Sequence, residues 1–315
     1  MKSPQWAALA AAAVGCLLFN GCATAPAAAS APASSAPAAA APKPTPPPAV
    51  KVEFPEASPG CVLQQHLGRT DIEVSYSRPG VKDRVVFGGI VPYGVVWRTG
   101  ANRSTKLTFS TDVQLDGHAV PKGTYALYSI PNRGTWTIIL DRDTTLWGAY
   151  GYDEKNDFLR FDVRPEALLQ RVETFTIEFT DLHDDHATLE LAWEHTRVPI
   201  QVSVDVVPVV SAEIDRALAD GQPKKFGFYL NAANFYFAHG PRLDQALAMA
   251  NAALALNGQA AFEAQYVKAE VLAAQGDKAG AAQAARASRD GAIKNDGPNS
   301  SFVRMNNDLL AKLGP

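Results

Sequence analysis

Cysteine is scarce: three in 315 residues, Cys16, Cys22 and Cys61. So few thiols exclude a disulfide framework, and any fold must rest on ordinary apolar packing. An excess of one charge is missing too. The formal net charge is −3, with no concentrated basic face, so nucleic acid is not an expected partner. Long apolar runs are absent apart from Trp6–Phe19, which is shorter than a comfortable membrane span. There is no nucleophile elbow of the Gly-x-Ser-x-Gly kind, no His-Glu-x-x-His zinc pair and no Gly-x-x-x-x-Gly-Lys-Ser/Thr phosphate loop. No cofactor and no metal is implied by motif. What is present is 47% hydrophobic residues, enough for a sizeable core.

The N-terminus reads as an export signal. Lys2 precedes the apolar run, which ends in FNGC, Phe19–Cys22. Small Gly21 before Cys22 resembles the lipobox of bacterial lipoproteins, although Phe19 and Asn20 depart from the commonest choices. The resemblance implies removal of residues 1–21 and lipid on Cys22. Ala23 follows rather than Asp, which favours the outer membrane. The alternative is plain secretion, with cleavage further on. Residues 22–57 then form a lipidated Cys and an Ala/Pro-rich linker closing in PKPTPPPAV. Such a segment extends as a semi-rigid spacer.

From 58 to 208 the apolar period is two. Leu107, Phe109, Val113 and Leu115 share one parity, as do Phe175, Ile177 and Phe179, then Leu189, Leu191 and Trp193, then Ile200, Val202, Val204 and Val206. Alternation of this kind predicts half-buried antiparallel strands. Asp116-Gly117, Pro121-Lys122-Gly123, Pro131-Asn132-Arg133-Gly134 and Asp184-Asp185 punctuate them. Eight to ten strands at this spacing predict a β-sandwich, jelly-roll-like or a flattened barrel. Gly88 and Gly89 mark a bulge or tight bend, and Trp136 and Trp193 are expected in the core.

Residues 211–315 change grammar. Ser211 reads as a helix N-cap. Ala-rich amphipathic helices follow, and LDQALAMANAAL aligns with KAGAAQAARASR at about 35 residues, near the tetratricopeptide period. Ala246 and Ala281 fall where helices approach closely. The repeat lacks the usual Trp and junction Pro, so a plain helical bundle is the competing expectation. The class is α+β and multidomain.

The stretch SPGCVLQQHLGRTDIEVSYSRPGVKDRVVFGGIVPYGVVWRTGAN, with GTYALYSIP, TWTIIL, WGAYGY, VETFTIEF and LAWEHTRVPI, is similar to an uncharacterised family of exported bacterial proteins, domain of unknown function 2911. The likeness covers about residues 58–202, and the helical tail is similar to extensions that some members carry. It implies an envelope location and supplies no activity and no catalytic residues. Cys61 and Asp83 depart from the family's usual residues.

Candidate sites are few. Cys61 has no activating neighbour in sequence and reads as a packed thiol. Asp153, Glu154, Lys155, Asn156 and Asp157 read as a solvated loop. His183, Asp184, Asp185 and His186 are metal-ligand types, yet on a short turn they read as a solvated hairpin. VPYGVVWRTGANRST, Val91–Thr105, is the sharper signal. Tyr76, Arg78, Tyr93, Trp97, Arg98 and Asn102 can line a pocket, with guanidinium forks for carboxylates and aromatic faces for sugar or peptide groups. The competing reading is a buried polar staple satisfying a crossover between sheets, which would require partners such as Glu73, Asp112 or Glu194. The functional expectation is an outer-membrane lipoprotein facing the periplasm, acting as a binding or scaffolding module. The membrane would be met through the lipid, a glycan or anionic small ligand through the sandwich, and a protein partner through helices 211–315. The alternative is a periplasmic hydrolase acting on envelope material through Arg98, Asn102 and the aromatics.

Overall fold

A computed structural model describes residues 54–240, 242–256, 258 and 260–314. The export signal, Cys22 and most of the linker lie outside them. Among the described residues, ten strands form two antiparallel sheets, and six α-helices follow. The strands are β1 Gly60–Leu67, β2 Thr70–Ser77, β3 Thr105–Phe109, β4 Val113–Leu115, β5 His118–Val120, β6 Gly123–Ile130, β7 Trp136–Asp141, β8 Asp157–Val163, β9 Glu166–Thr180 and β10 His186–Ser203. One sheet has the order β1-β2-β3-β6-β7-β8, the other β5-β4-β10-β9.

The alternation seen in sequence becomes the inner face of each sheet. In β2, Ile72, Val74 and Tyr76 are buried while the residues between them are not. In β10, Leu189, Leu191, Trp193, Ile200 and Val202 are buried. KLTFSTDVQLD is not one strand. The chain leaves the first sheet after Phe109 and enters the second at Val113, so its single parity serves two sheets that share one core. Asp116 and Gly117 both take positive φ, the requirement of the two-residue hairpin that joins β4 to β5. GTYALYSIP and TWTIIL form a hairpin, β6 against β7.

The middle of the sandwich is aromatic. Trp97 stacks on Trp193 at 5.8 Å and 17°, and Phe175 meets both rings edge-on. Phe87 and Trp136 extend the cluster. Trp136 and Trp193 are each 2% exposed, as the alternation implied.

The helices are α1 Val206–Ala219, α2 Phe226–Ala238, α3 Leu243–Ala255, α4 Ala261–Ala274, α5 Lys278–Asp296 and α6 Ser301–Leu313. Small residues line many of their contacts, Ala246, Ala250 and Ala253 on α3, Ala264 and Ala269 on α4, Ala281 and Ala285 on α5, with Tyr236, Val267 and Val271 between them. Ser288 donates to the Phe262 carbonyl at 2.7 Å, and Asn306 donates to Ser288 Oγ at 2.8 Å. A buried hydrogen-bonded chain therefore ties α6 through α5 to α4. No helix among the described residues is long and apolar enough to cross a membrane.

One boundary is corrected. The helices begin at Val206, not at Ser211. The β-branched run Val204–Val210 reads as strand by propensity, but Pro208 sits in the first helical turn, where its missing N–H costs nothing. Ser211 is buried within α1 and accepts from Arg242 at 2.9 Å; it is not a cap.

Candidate functional site

The six residues singled out in sequence do not line one cavity. Extended backbone turns successive side chains to opposite sides, so the neighbours part company. Trp97 faces the core, and its ring N–H donates to the Gly100 carbonyl at 3.1 Å. Its backbone exchanges two hydrogen bonds with Ser129, at 2.7 and 2.9 Å. The Tyr76 hydroxyl donates to the Ile177 carbonyl and accepts from its N–H, and burial pushes that phenol above its usual range. Arg78 donates to the Phe175 carbonyl at 3.0 Å and to Thr176 Oγ1 at 2.7 Å. Asn102 has left-handed backbone, φ 58, and its amide donates to Glu56 at 2.9 Å, the Ser58 carbonyl at 3.0 Å and Ser77 Oγ at 3.3 Å. Tyr76 and Arg78 tie β2 to β9, and Asn102 ties the crossover to the segment entering β1. Glu56, rather than Glu73, Asp112 or Glu194, supplies the carboxylate.

Arg98 is different. It is half-buried, its Nε is sealed from solvent without a hydrogen-bond partner, and burial lowers its pKa against the pull of Tyr150 nearby. It lies beside Gly148, whose carbonyl accepts from Tyr128. The same outer face of the first sheet buries Asp141, whose carboxyl is pushed up by burial and then by the Asp157 and Asp143 carboxylates, although the Asp143 N–H opposes the shift. Of the 153–157 run, Asp157 turns inward. It accepts from the Tyr152 hydroxyl and from Arg160.

Tyr93 lines a cleft of about 260 Å³ with Phe87, Asn132, Arg133, Trp136, Glu166 and His195. Its ring occupies the space a side chain at position 88 would need, 2.6 Å from an added Cβ, and Gly88 holds φ +84. Only glycine fits there without strain. Arg133, from the Pro-Asn-Arg-Gly turn, lies over the Tyr93 ring at 5.3 Å. The register of β10 on β9 slips on both sides of Glu194, whose φ is 55, and such bulges re-aim side chains. Next to it, His195 Nδ1 lies 3.1 Å from the Leu168 carbonyl, which makes Nδ1 the donor and leaves Nε2 as acceptor. Glu166 is gripped by Arg197 through Nε at 2.8 Å and the second nitrogen at 2.7 Å. The cleft thus combines an aromatic floor with a guanidinium, a carboxamide, a carboxylate and an imidazole. Arg133, Glu166 and His195 were missed in sequence because they are far apart along the chain. The Pro-Asn-Arg-Gly turn was the one visible signal.

Tyr76 and Asn102 border a second hollow of about 300 Å³ with Cys61, Arg103 and Trp147. Cys61 is half-buried and its thiol neighbours the Tyr76 hydroxyl. The 181–186 turn also gained a member that sequence spacing could not reveal. His239, at the end of α2, places Nε2 2.8 Å from Asp184 and Nδ1 4.0 Å from Asp185.

Residues 58–202 match the family described as Protein of unknown function (DUF2911). No curated protein and no solved structure matches the chain.

Proposed function

We propose that the protein is an envelope lipoprotein that binds a compact polar ligand in the Tyr93 cleft. In this reading residues 1–21 are removed, Cys22 carries lipid, and residues 22–57 hold the sandwich off the outer membrane in the periplasm. The observation that carries the binding role is the convergence of Tyr93, Arg133, Asn132, Glu166 and His195 over Phe87 and Trp136 in one cleft. Aromatic floor plus a few aimed polar groups is the usual make-up of a ligand site. At about 260 Å³ the cleft falls just below the ~300 Å³ at which drug-sized pockets begin, so it suits one sugar ring or one anionic peptide group. A groove of about 400 Å³ among α3, α4 and α5, lined by Leu247, Asn251, Gln265, Lys268 and Leu272, supports a protein partner for the tetratricopeptide-like helices.

The test is direct binding of wild-type protein, Tyr93→Ala and Arg133→Ala to peptidoglycan fragments and acidic envelope glycans. Loss of at least about tenfold, 1.4 kcal/mol, in both variants is expected. Equal binding by all three proteins removes the cleft from the proposal. A second reading is hydrolysis, favoured by His195 and Glu166 sharing the cleft. It requires turnover of the same fragments that His195→Ala abolishes.

A further inference from the structure

The turn between β9 and β10 has more in it than a solvated hairpin needs. We propose that it holds a divalent transition-metal ion, ligated by Asp181, His183 and His186 and supported by Asp185. One ligand atom from each of the first three lies within 4.8 Å of the others, close enough for small side-chain shifts to close them on an ion. Two imidazoles and one carboxylate suit Zn²⁺, Co²⁺ or Ni²⁺, whereas Mg²⁺ and Ca²⁺ take all-oxygen sets. The His183 and His186 rings stack at 4.1 Å and 14°. The His183 N–H donates to the His186 carbonyl at 2.8 Å, so the backbone already sets the spacing of the two rings. Asp181 stands 3.5 Å from His183 Nε2.

The support around the ligands is what separates this turn from a chance pair of surface histidines. Asp185 Oδ1 lies 2.5 Å from His186 Nδ1. A carboxylate there accepts a hydrogen bond from Nδ1–H, fixes the tautomer and frees Nε2 for a cation, which is the usual outer arrangement at metal-bound histidine. The other oxygen of Asp185 faces His239. Asp184, Asp185 and His239 form a second convergent set, but the His239 side chain is only 8% exposed and already paired with Asp184. That set reads as a clasp joining the end of α2 to the turn, its one imidazole buried and already held by a carboxylate. Asp181 and the two stacked histidines, by contrast, offer two imidazoles and a carboxylate that all face solvent.

Titration of the full-length chain with Zn²⁺ against a competing chelator, and with Co²⁺ followed by its visible absorption, tests the assignment. One ion per chain is expected. His183→Ala and His186→Ala should each weaken binding by more than about a hundredfold, beyond the loss typical of outer partners. Asp185→Asn should weaken it about tenfold, while His239→Ala leaves it within about threefold, well under one outer-partner loss. Binding that is indifferent to Asp185→Asn overturns a built site and leaves an adventitious histidine pair. Loss in His239→Ala with retention in His183→Ala overturns the choice of ligands. Far-ultraviolet circular dichroism of each variant shows whether the fold is kept, and Asp181→Asn, on the exposed rim, supplies a ligand change that spares the clasp.

Discussion

The sandwich and the helical tail fill their cores with side chains of opposite size. The sandwich packs Trp97, Trp136, Trp193, Phe175 and Tyr76 between two sheets. The tail packs alanine: Ala246, Ala250, Ala269, Ala281 and Ala285 are all fully buried. Sheets about 10 Å apart leave a gap that large rings fill, whereas alanine on facing helices lets them pack closely. One region is therefore sensitive to what is taken away, the other to what is added.

The largest effect is expected in the sandwich. Trp193→Ala leaves a hole among Trp97, Phe87 and Phe175 and should cost about 3–5 kcal/mol, read as a fall in the urea midpoint at unchanged slope. In the tail the corresponding break is enlargement. Ala285→Leu should cost about 1–3 kcal/mol through overpacking of α5 on its neighbours. Ala285→Gly should cost about 1 kcal/mol through helix propensity alone. If removal of methyl groups harms the tail more than insertion does, the contrast between the two cores is wrong.

The polar ties sharpen the comparison within the sandwich. Arg78→Ala removes two charged hydrogen bonds to β9 and should cost about 1.5–3 kcal/mol. Asp141→Asn should act in the other direction. Burial holds the folded-state pKa of Asp141 above its ordinary 3.8, so the native protein binds the proton more tightly than the unfolded chain does. Stability from this group is then full below pH 3.8 and is lost as pH rises from there through the raised value. An amide keeps the acceptor for the Asp143 N–H and never ionises. The difference between the Asp141→Asn variant and wild type should be smallest at or below pH 3.8 and grow to a gain in stability at neutral pH. A difference that is flat across that window means the carboxyl's pKa is not raised by its surroundings.

How much of this could be read from sequence differs between fold and site for a physical reason. Period-two alternation reports burial directly, so β3, β4, β9 and β10 were legible, as was the turn at Asp116-Gly117. The start of α1 was not, because Val206, Val207, Val209 and Val210 favour strand by side-chain shape and only packing overrules it. The site was less legible still. Tyr93, Trp97, Arg98 and Asn102 are close in sequence, but extended and left-handed backbone sends them to a cleft, the core, an outer face and the crossover between the sheets. The groups that do converge on Tyr93 come from positions 133, 166 and 195. Those that converge on the 181–186 turn include His239, from the far end of α2. Separation of that order carries no local pattern.

Arg98 gives the smallest expected effect and the most discriminating one. Its neighbours in the chain, Trp97 and Thr99, are fixed by hydrogen bonds to Gly100 and Ser129, so the backbone at Arg98 is held whatever the side chain does. The guanidinium itself has no acidic partner among the described residues, and its Nε is shut away unpaired. Replacing it with Met keeps an aliphatic side chain there while removing a desolvated donor. Arg98→Met should therefore leave stability within about 0.5 kcal/mol of wild type, or raise it slightly. That result, set beside the loss from Arg78→Ala, would separate two arginines twenty positions apart: one that binds the sheets together and one whose burial the fold tolerates without return. A cost equal to that of Arg78→Ala would place Arg98 among the internal ties, and WRTGAN would then be a structural staple along its whole length.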